Sequence, residues 1–210
     1  MAKKYTNEIL DLLRRIQKID YVSPDQIPNI DLYMDQITTF MDEHLASSKR
    51  FADDKTLTKT MINNYTKNNL LPPSDKKKYK KEHMILLIYI YYLKNFLSIN
   101  DIKEILNPIT ELFFQGKGSV SFEEIYEQIF EMQYENINTM NTQIRDLIRK
   151  LKRSEEAFPD IKDDKEKDAL TDFAFICMLS FDIWVKKYLI ESMIDHKLAA
   201  KKEKPEKHKK

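Results

Sequence analysis

Two runs of polar side chains have the chemistry needed to hold a polyanion and to read base edges. The first is KTMINNYTK, residues 59–67, where lysine, threonine and asparagine surround Ile62 and Tyr65. If these residues form a helix that buries the two apolar side chains, the polar ones face outwards. An asparagine amide presents a donor and an acceptor side by side and can pair with adenine in the major groove, so Asn63 or Asn64 is the candidate base reader. The other outward-facing candidates are Lys59, Thr60 and Lys67.

The second run, SDKKKYKK, follows Pro72-Pro73, and its first seven residues, SDKKKYK, are predicted to form a loop or small hairpin. Its lysines suit phosphate contacts, whose affinity falls with salt because counterions are released. From Lys55 to Lys81 there are eight lysines and one acidic residue, a local charge of +7, although the whole chain carries only +1. A lysine run in a loop can equally be a solvated surface. The candidate DNA contacts in this run are Lys76, Lys77, Lys78, Tyr79, Lys80 and Lys81.

The sequence offers little for catalysis or metal binding. Phosphate loops need glycine for close backbone approach, and only Gly116 and Gly118 occur. The single cysteine, Cys177, lies in the apolar run AFICMLSF, where a free thiol usually behaves as a small hydrophobic side chain. The histidines are scattered, and the acidic residues fall on what read as solvated helix faces and loops. We therefore expect a non-enzymatic protein that holds no metal or other cofactor.

Helical periodicity predicts an all-α chain. Residues 5–19 carry one apolar stripe and predict an amphipathic N-terminal helix, and a second helix should start near Asp31. The predicted buried face of this second helix consists of Tyr33, Ile37, Phe40, Met41 and Leu45. The N-terminus reaches an acidic residue before any long apolar stretch, so it lacks the apolar region of a signal peptide and we expect a cytoplasmic protein.

Three further helices are predicted around the two polar runs. A short helix should begin after Thr58, whose hydroxyl can cap its first turn, and end at Asn69, which tolerates the left-handed conformation. The segment from about His83 to Leu97 is too short in its apolar part to cross a bilayer and predicts a buried helix. Ser98 should cap a further helix, kinked near Pro108.

The C-terminal half follows the linker GKGSVS and carries a heptad pattern. Its apolar repeat predicts a coiled-coil-like dimerisation surface made of Phe130, Ile137, Met140, Ile144, Leu147 and Leu151. The alternative is that this stripe forms an intramolecular core with the final apolar helix, residues 169–198, which holds Trp184 and several phenylalanines. The lysine-rich tail lacks an apolar face and is predicted to be disordered.

The string LTKTMINNYTKNNLLPP, the basic turn after it and the segment KKYKKEHMILLIYIYYLKNFLSINDIKEIL together resemble the winged helix-turn-helix of the MerR family. Thr58 falls where the family has a serine or threonine cap, and Tyr65 where a tyrosine packs the recognition helix. Residues 70–72, Leu-Leu-Pro, match the family's Gly-Leu-Leu-Pro exit, and Tyr79 matches the tyrosine after the wing. The resemblance spans residues 31–115 and implies pairing through a C-terminal helix on a near-palindromic DNA site.

The chain also resembles a bacterial family of unknown function, number eighteen thirty-six, from DLYMDQITTFMDEHL to SINDIKEIL. This second resemblance implies no activity. Two features depart from the MerR pattern: Asn63-Asn64 replaces the usual arginine-tyrosine pair, and the segment before the recognition helix is longer.

Four segments are therefore expected: an amphipathic helix at 1–22, a MerR-like winged helix-turn-helix domain at 23–116, a helical hairpin or coiled-coil-like dimerisation region at 117–198, and a basic tail at 199–210. The predicted function is a transcriptional regulator that binds double-stranded DNA as a homodimer and makes no membrane contact. The alternative is a non-enzymatic interaction or scaffold module that keeps a degenerate helix-turn-helix. The sequence leaves open whether a small-molecule effector binds.

Overall fold

A computed structural model describes residues 21–51, 53–138 and 140–202. The predicted amphipathic helix at residues 5–19 lies outside this part of the chain. The described residues are predominantly helical, which confirms the mainly α class. Their helices and strands are β1 (Leu32–Tyr33), α1 (Met34–His44), α2 (Lys59–Lys67), β2 (Lys78–Tyr79), α3 (Lys81–Leu93), α4 (Ile99–Phe113), α5 (Phe122–Asn138), α6 (Met140–Glu156) and α7 (Asp164–Lys202). Short 3-10 turns occur at Pro24–Gln26, Ala46–Ser48 and Phe114–Gly116.

The chain divides into two compact units, Met1–Glu135 and Asn136–Lys210. None of the helices among the described residues is both long and apolar enough to cross a membrane.

Helix α3 is the centre of the first unit. The six consecutive side chains of residues 83–88 are all buried, and they include five aliphatic or methionine positions that face every direction around the helix. A helix that is apolar all round must be covered by other elements. The predicted buried helix is thereby confirmed, with its start at Lys81 and its end at Leu93.

The start of α1 differs from the prediction. Residues 32–33 form β1, which pairs antiparallel with β2 so that Leu32 lies opposite Tyr79. Side chains alternate along a strand, so burial of Leu32 turns Tyr33 outwards, where it is 52% exposed. The expectation that Tyr33 belongs to the buried face was wrong. The other members of that face are buried as predicted: Ile37, Phe40, Met41 and Leu45.

Helix α2 has defined signals at both ends. The Thr58 hydroxyl accepts a hydrogen bond from the backbone N–H of Met61 at 3.2 Å, so the predicted cap is confirmed. At the other end Asn69 has a left-handed φ of 55°. The backbone N–H of Leu70 donates to the Tyr65 carbonyl at 2.9 Å, and the N–H of Asn69 donates to the Thr66 carbonyl at 3.1 Å. This is a Schellman motif with asparagine at the left-handed position.

Helix α4 begins directly after the predicted capping serine, Ser98. The Ser98 hydroxyl accepts from the backbone N–H of Asp101 at 3.2 Å. Pro108 lies inside the helix, which continues to Phe113. The predicted linker falls between α4 and α5.

The second unit contains α6 packed along α7. Helix α7 extends from Asp164 to Lys202 and therefore continues into the segment predicted to be a disordered tail. Its aromatic side chains differ from expectation: Trp184 is 57% exposed, and Cys177, interpreted as a small hydrophobic side chain, is exposed as well. The sequence shows that these side chains are apolar but does not show whether another part of the chain covers them.

Two ends of the heptad stripe are buried within the chain itself. Leu151 is 2% exposed, so it cannot also face a second copy, and its assignment to a dimer surface was wrong. Tyr126, which lies one helical turn before Phe130 at the other end of the stripe, is buried and donates its hydroxyl hydrogen to the Val22 carbonyl at 2.5 Å. Phe130 and Leu147 are half-buried. The side chains of Ile137, Met140 and Ile144 lie outside the described part of the chain.

Glycine should have opposite effects at the two asparagines that end α2. At Asn69, with its left-handed backbone, Asn69→Gly should keep or slightly raise the free energy of unfolding, whereas Asn69→Val should lower it by about 1–2 kcal/mol. At Asn68, where φ is −90°, glycine gains nothing and Asn68→Gly should be destabilising. Urea unfolding monitored by circular dichroism measures all three. If glycine lowered the free energy of unfolding equally at both positions, the left-handed backbone assigned to Asn69 would be contradicted.

Candidate functional site

The outer face of α2 carries the polar side chains identified in the first run. Ile62 and Tyr65 are buried on the inner face, as predicted. The exposed side chains of this helix are Lys59, Thr60, Asn63, Asn64 and Lys67. Asn68, just after the helix, donates from its side-chain amide to the backbone carbonyl of Asn64 at 2.8 Å. That bond uses the backbone of Asn64 and leaves its side chain exposed.

The second run forms a tight hairpin. Asp75 and Lys78 exchange two backbone hydrogen bonds of 3.0 and 2.8 Å, and between them Lys76 and Lys77 have φ values of 48° and 65°. Two consecutive left-handed residues are typical of a type I′ turn, which asparagine and glycine normally occupy. Lysine is strained there because of its Cβ. The side chains of Lys76, Lys77 and Lys78 are exposed at the tip of this hairpin.

The hairpin and the start of α2 are both attached to the segment that opens α1. The Lys78 ammonium lies 5.5 Å from the centre of the Tyr33 ring, a cation–π contact. Lys59 at the first position of α2 forms an ion pair with Asp35. Tyr33 and Asp35 are only two residues apart, so their Cα atoms are separated by about 7 Å at most. Lys78 of the hairpin and Lys59 of α2 are thus anchored on residues that are close neighbours in the chain.

Three residues of the second run, Tyr79, Lys80 and Lys81, are not fully exposed to solvent. Tyr79 is 6% exposed because β2 turns it inwards, opposite Leu32, so its assignment as a DNA contact was wrong. Lys81 is mostly buried, and its ammonium lies 3.1 Å from the Glu123 carboxylate, which neutralises its charge. Lys80 is half-buried at the residue before α3. The candidate DNA contacts of this run that are freely exposed are therefore the three lysines at the hairpin tip.

The sequence did not identify Tyr33, Asp35 or Glu123 as neighbours of the basic residues. Glu123 is distant in the chain from Lys81, and no local pattern connects them. Tyr33 belongs to a strand of only two residues, which is too short to show alternation.

His83 fastens the hairpin at both of its ends. Its Nδ1 accepts from the backbone N–H of Lys80 at 3.0 Å, and its Nε2–H donates to the Pro73 carbonyl at 3.3 Å. These partners require the neutral imidazole with its hydrogen on Nε2, because an amide N–H cannot accept and a carbonyl cannot donate. Burial lowers the pKa of His83, while the Pro73 carbonyl and the carboxylates of Glu82 and Asp31 oppose this shift more weakly.

The exposed face of α2 and the hairpin tip combine two kinds of polar group. Amides and a hydroxyl lie beside exposed ammonium groups, which are groups that bind base edges and phosphates. An open groove beside the N-terminus of α2 includes Asp42, Glu43 and Lys55. The ammonium of Lys49 lies 2.7 Å from the Asp42 carboxylate, and its hydrogen bond lowers the pKa of that carboxyl. Among the described residues no cluster of three or more histidine, cysteine or acidic side chains could hold a metal ion.

Acid should weaken the fold through His83. In the unfolded chain the His83 imidazole is protonated near its ordinary pKa of 6.5. In the native state its pKa is lower, so protonation requires a lower pH. The unfolded state therefore binds more protons as the pH falls below that value, and the free energy of unfolding falls until the native pKa is reached. Urea unfolding at about pH 5 and about pH 7.5 measures this difference.

The matched variants are His83→Gln, which removes the buried titrating group, and His44→Gln, which removes a histidine on α1. The His83→Gln chain should lose part of the pH dependence, while the His44→Gln chain serves as the control for histidine replacement in general. An unchanged pH dependence in His83→Gln would contradict the role assigned to this histidine.

The comparisons with known proteins concern the part of the chain that holds this surface. A family model described as "Domain of unknown function (DUF1836)" matches residues 22–129, just over half of the chain. No curated protein and no solved structure matches the chain. The matched residues include α2, the hairpin and the whole of α3. The chain therefore belongs to the DUF1836 family.

Proposed function

We propose that this chain is a DNA-binding transcriptional regulator in which α2 reads the major groove and the lysine hairpin acts as a wing, in the manner of MerR-like proteins. The observation that carries the proposal is the attachment of both basic elements to one short segment. Lys78 lies over Tyr33, and Lys59 pairs with Asp35 two residues later. One duplex surface could therefore meet the exposed face of α2 and the hairpin tip together.

The division of labour follows from the side chains. Asn63 and Asn64 are exposed on α2 and carry amides suited to an adenine edge. Lys67 and the lysines at the hairpin tip supply charge for phosphates, which fixes position without reading sequence. Lys59 reaches phosphate only by giving up Asp35, and since that ion pair is exposed, it is worth little. We propose that two copies pair on the DNA.

A protein-interaction module is the second candidate, and the connection between α1 and α2 favours it. Residues 45–58 separate these helices, whereas the turn of an ordinary helix-turn-helix has about 3–4 residues. Under this proposal the helix pair is retained as architecture and its outer face meets another protein.

Base reading is tested with a double variant of α2. The full chain should retain a few fragments from mixed genomic DNA, and Asn63→Ala, Asn64→Ala should weaken binding to them by about 10- to 100-fold for each bidentate asparagine–adenine pair that is removed. Binding to unrelated DNA should change little. Asn100→Ala removes an exposed asparagine from α4 and serves as the control. If no fragment is retained even at low salt, the interaction module becomes the better proposal.

The hairpin is tested with Lys76→Asn, Lys77→Gly, which separates strain from charge. Asparagine and glycine suit the left-handed backbone, so the free energy of unfolding should be kept or raised. Removal of two lysine–phosphate interactions should reduce the slope of log affinity against log salt by about 2. Lys117→Gln, Lys162→Gln removes two exposed lysines elsewhere and should leave the slope unchanged. A wild-type slope in the hairpin variant would mean that these lysines are solvated surface.

A further inference from the structure

Helix α7 carries a stripe of aromatic side chains that the described part of the chain leaves uncovered. We define the aromatic stripe as Phe173, Cys177, Phe181, Trp184 and Tyr188, which follow one another at intervals of three or four residues and therefore share one face of the helix. All five side chains are exposed. The Trp184 ring stacks on Phe181 with 5.7 Å between centroids and on Tyr188 with 5.8 Å.

The second unit buries little apolar surface of its own. Among its described side chains, residues 146–199, the buried apolar ones are Leu151, Phe175 and Ile194. Nine large apolar side chains in the described part of α7 are exposed. A two-helix unit with its larger apolar surface in water needs a further partner, since exposed patches of this kind mark interaction sites.

The distribution of charge along α7 fits a second copy of the same helix. Residues 164–182 hold five acidic residues and two lysines, a net charge of −3, whereas residues 183–202 hold five lysines and two acidic residues, a net charge of +3. An antiparallel pair places each acidic half beside a basic half. A parallel pair places like charges together, which is unfavourable.

Side-chain size also fits an antiparallel pair. The aromatic stripe is centred between residues 180 and 181, so a two-fold axis there sets Phe173 opposite Tyr188 of the second copy. It also sets the small Cys177 opposite the large Trp184 of the second copy, which allows the two surfaces to interlock.

The area is sufficient for a specific interface. At about 200 Å² for each aromatic side chain, the four aromatic residues expose roughly 500 Å² in one copy. A two-fold pair would bury about 1,000 Å² before flanking contacts are added, which reaches the minimum of about 1,000 Å² expected of a biological interface.

We propose that the aromatic stripe of α7 is the surface through which two copies of this chain associate, with their α7 helices antiparallel. This inference deepens the homodimer part of the proposed function and rests on it. It replaces the heptad surface that the sequence suggested, because Leu151 of that surface is buried within the chain. It does not depend on whether the protein binds DNA.

Dissociation of the dimer formed by the whole 210-residue chain is the first test. Light scattering across a concentration series gives the dissociation constant of the wild type, of Trp184→Ala and of Met193→Ala. Trp184 and Met193 are both 57% exposed, but they are nine residues apart and so lie on opposite sides of the helix. Trp184→Ala should raise the dissociation constant at least about tenfold, as loss of a central aromatic residue does, and Met193→Ala should not.

Trp184 also reports its own burial, because it is the only tryptophan in the chain. Its fluorescence should shift to shorter wavelength as the wild-type protein is concentrated through the dimer transition. A shift caused by vesicles of anionic phospholipid, with none caused by protein concentration, would overturn the proposal in favour of a membrane-facing surface.

Orientation is tested by disulfide formation in the full chain. In the antiparallel pair the two Cys177 residues are about 10 Å apart along the axis, beyond the roughly 4–7 Å between Cα atoms that a disulfide allows. The wild type should therefore resist cross-linking by a mild oxidant. Cys177→Ser, Ser180→Cys moves the thiol beside the two-fold axis and should cross-link readily. Efficient cross-linking of the wild type alone would indicate parallel helices and overturn the arrangement.

The outcomes separate this inference from the proposed function. A wild-type chain that is a monomer at tens of micromolar overturns both the homodimer and the interface. A dimer whose dissociation constant is unchanged in Trp184→Ala overturns the interface alone. DNA binding by the same samples is measured independently of either result.

Discussion

Burial of α3 on every side is the constraint on which the first unit depends. With no face left for solvent, the helix forces the surrounding elements to bury one face each and to expose the other. Polar bonds attach the long 45–58 connection to it: Ser48 and Tyr91 share a hydroxyl hydrogen bond of 2.6 Å, and Lys94 donates to the Thr56 carbonyl at 2.7 Å. Because α2 buries Ile62 and Tyr65 in the core around α3, its asparagines face outwards.

Local signals explain what the sequence could predict. Thr58 and Asn69 mark the ends of α2 because a cap and a left-handed residue act within one helical turn. Strand β1 was missed because its two residues are set by pairing with β2, which lies far along the chain. The same pairing decides that Tyr79 faces inwards. The exposed stripe of α7 was missed for another reason, since apolar character alone does not show whether a covering partner lies in the same chain.

The two left-handed positions of the hairpin hold lysines, although asparagine and glycine would be less strained there. Each left-handed lysine costs about 1–2 kcal/mol, so Lys76 and Lys77 persist only because other interactions hold the turn. Those interactions are the β1–β2 pairing and the two hydrogen bonds of His83, which close the segment from Pro73 to Lys80. Strain maintained in this way is often found at functional sites, because it fixes a side chain where function requires it. Here it fixes two charges at an exposed tip.

In the proposed regulator, recognition of DNA by α2 alone would be weak, and pairing of two copies through the second unit compensates for this. Two asparagines on one short helix of that regulator would contribute discrimination of about 1–3 kcal/mol for each good contact, while phosphate contacts would add affinity without selectivity. Linking two such helices makes the second binding event intramolecular, so affinity rises without any new contact to the bases. The aromatic stripe lies beyond residues 22–129, which match the family. In the proposed regulator, α2 supplies chemical recognition, and association through α7 makes that recognition strong enough to select a site.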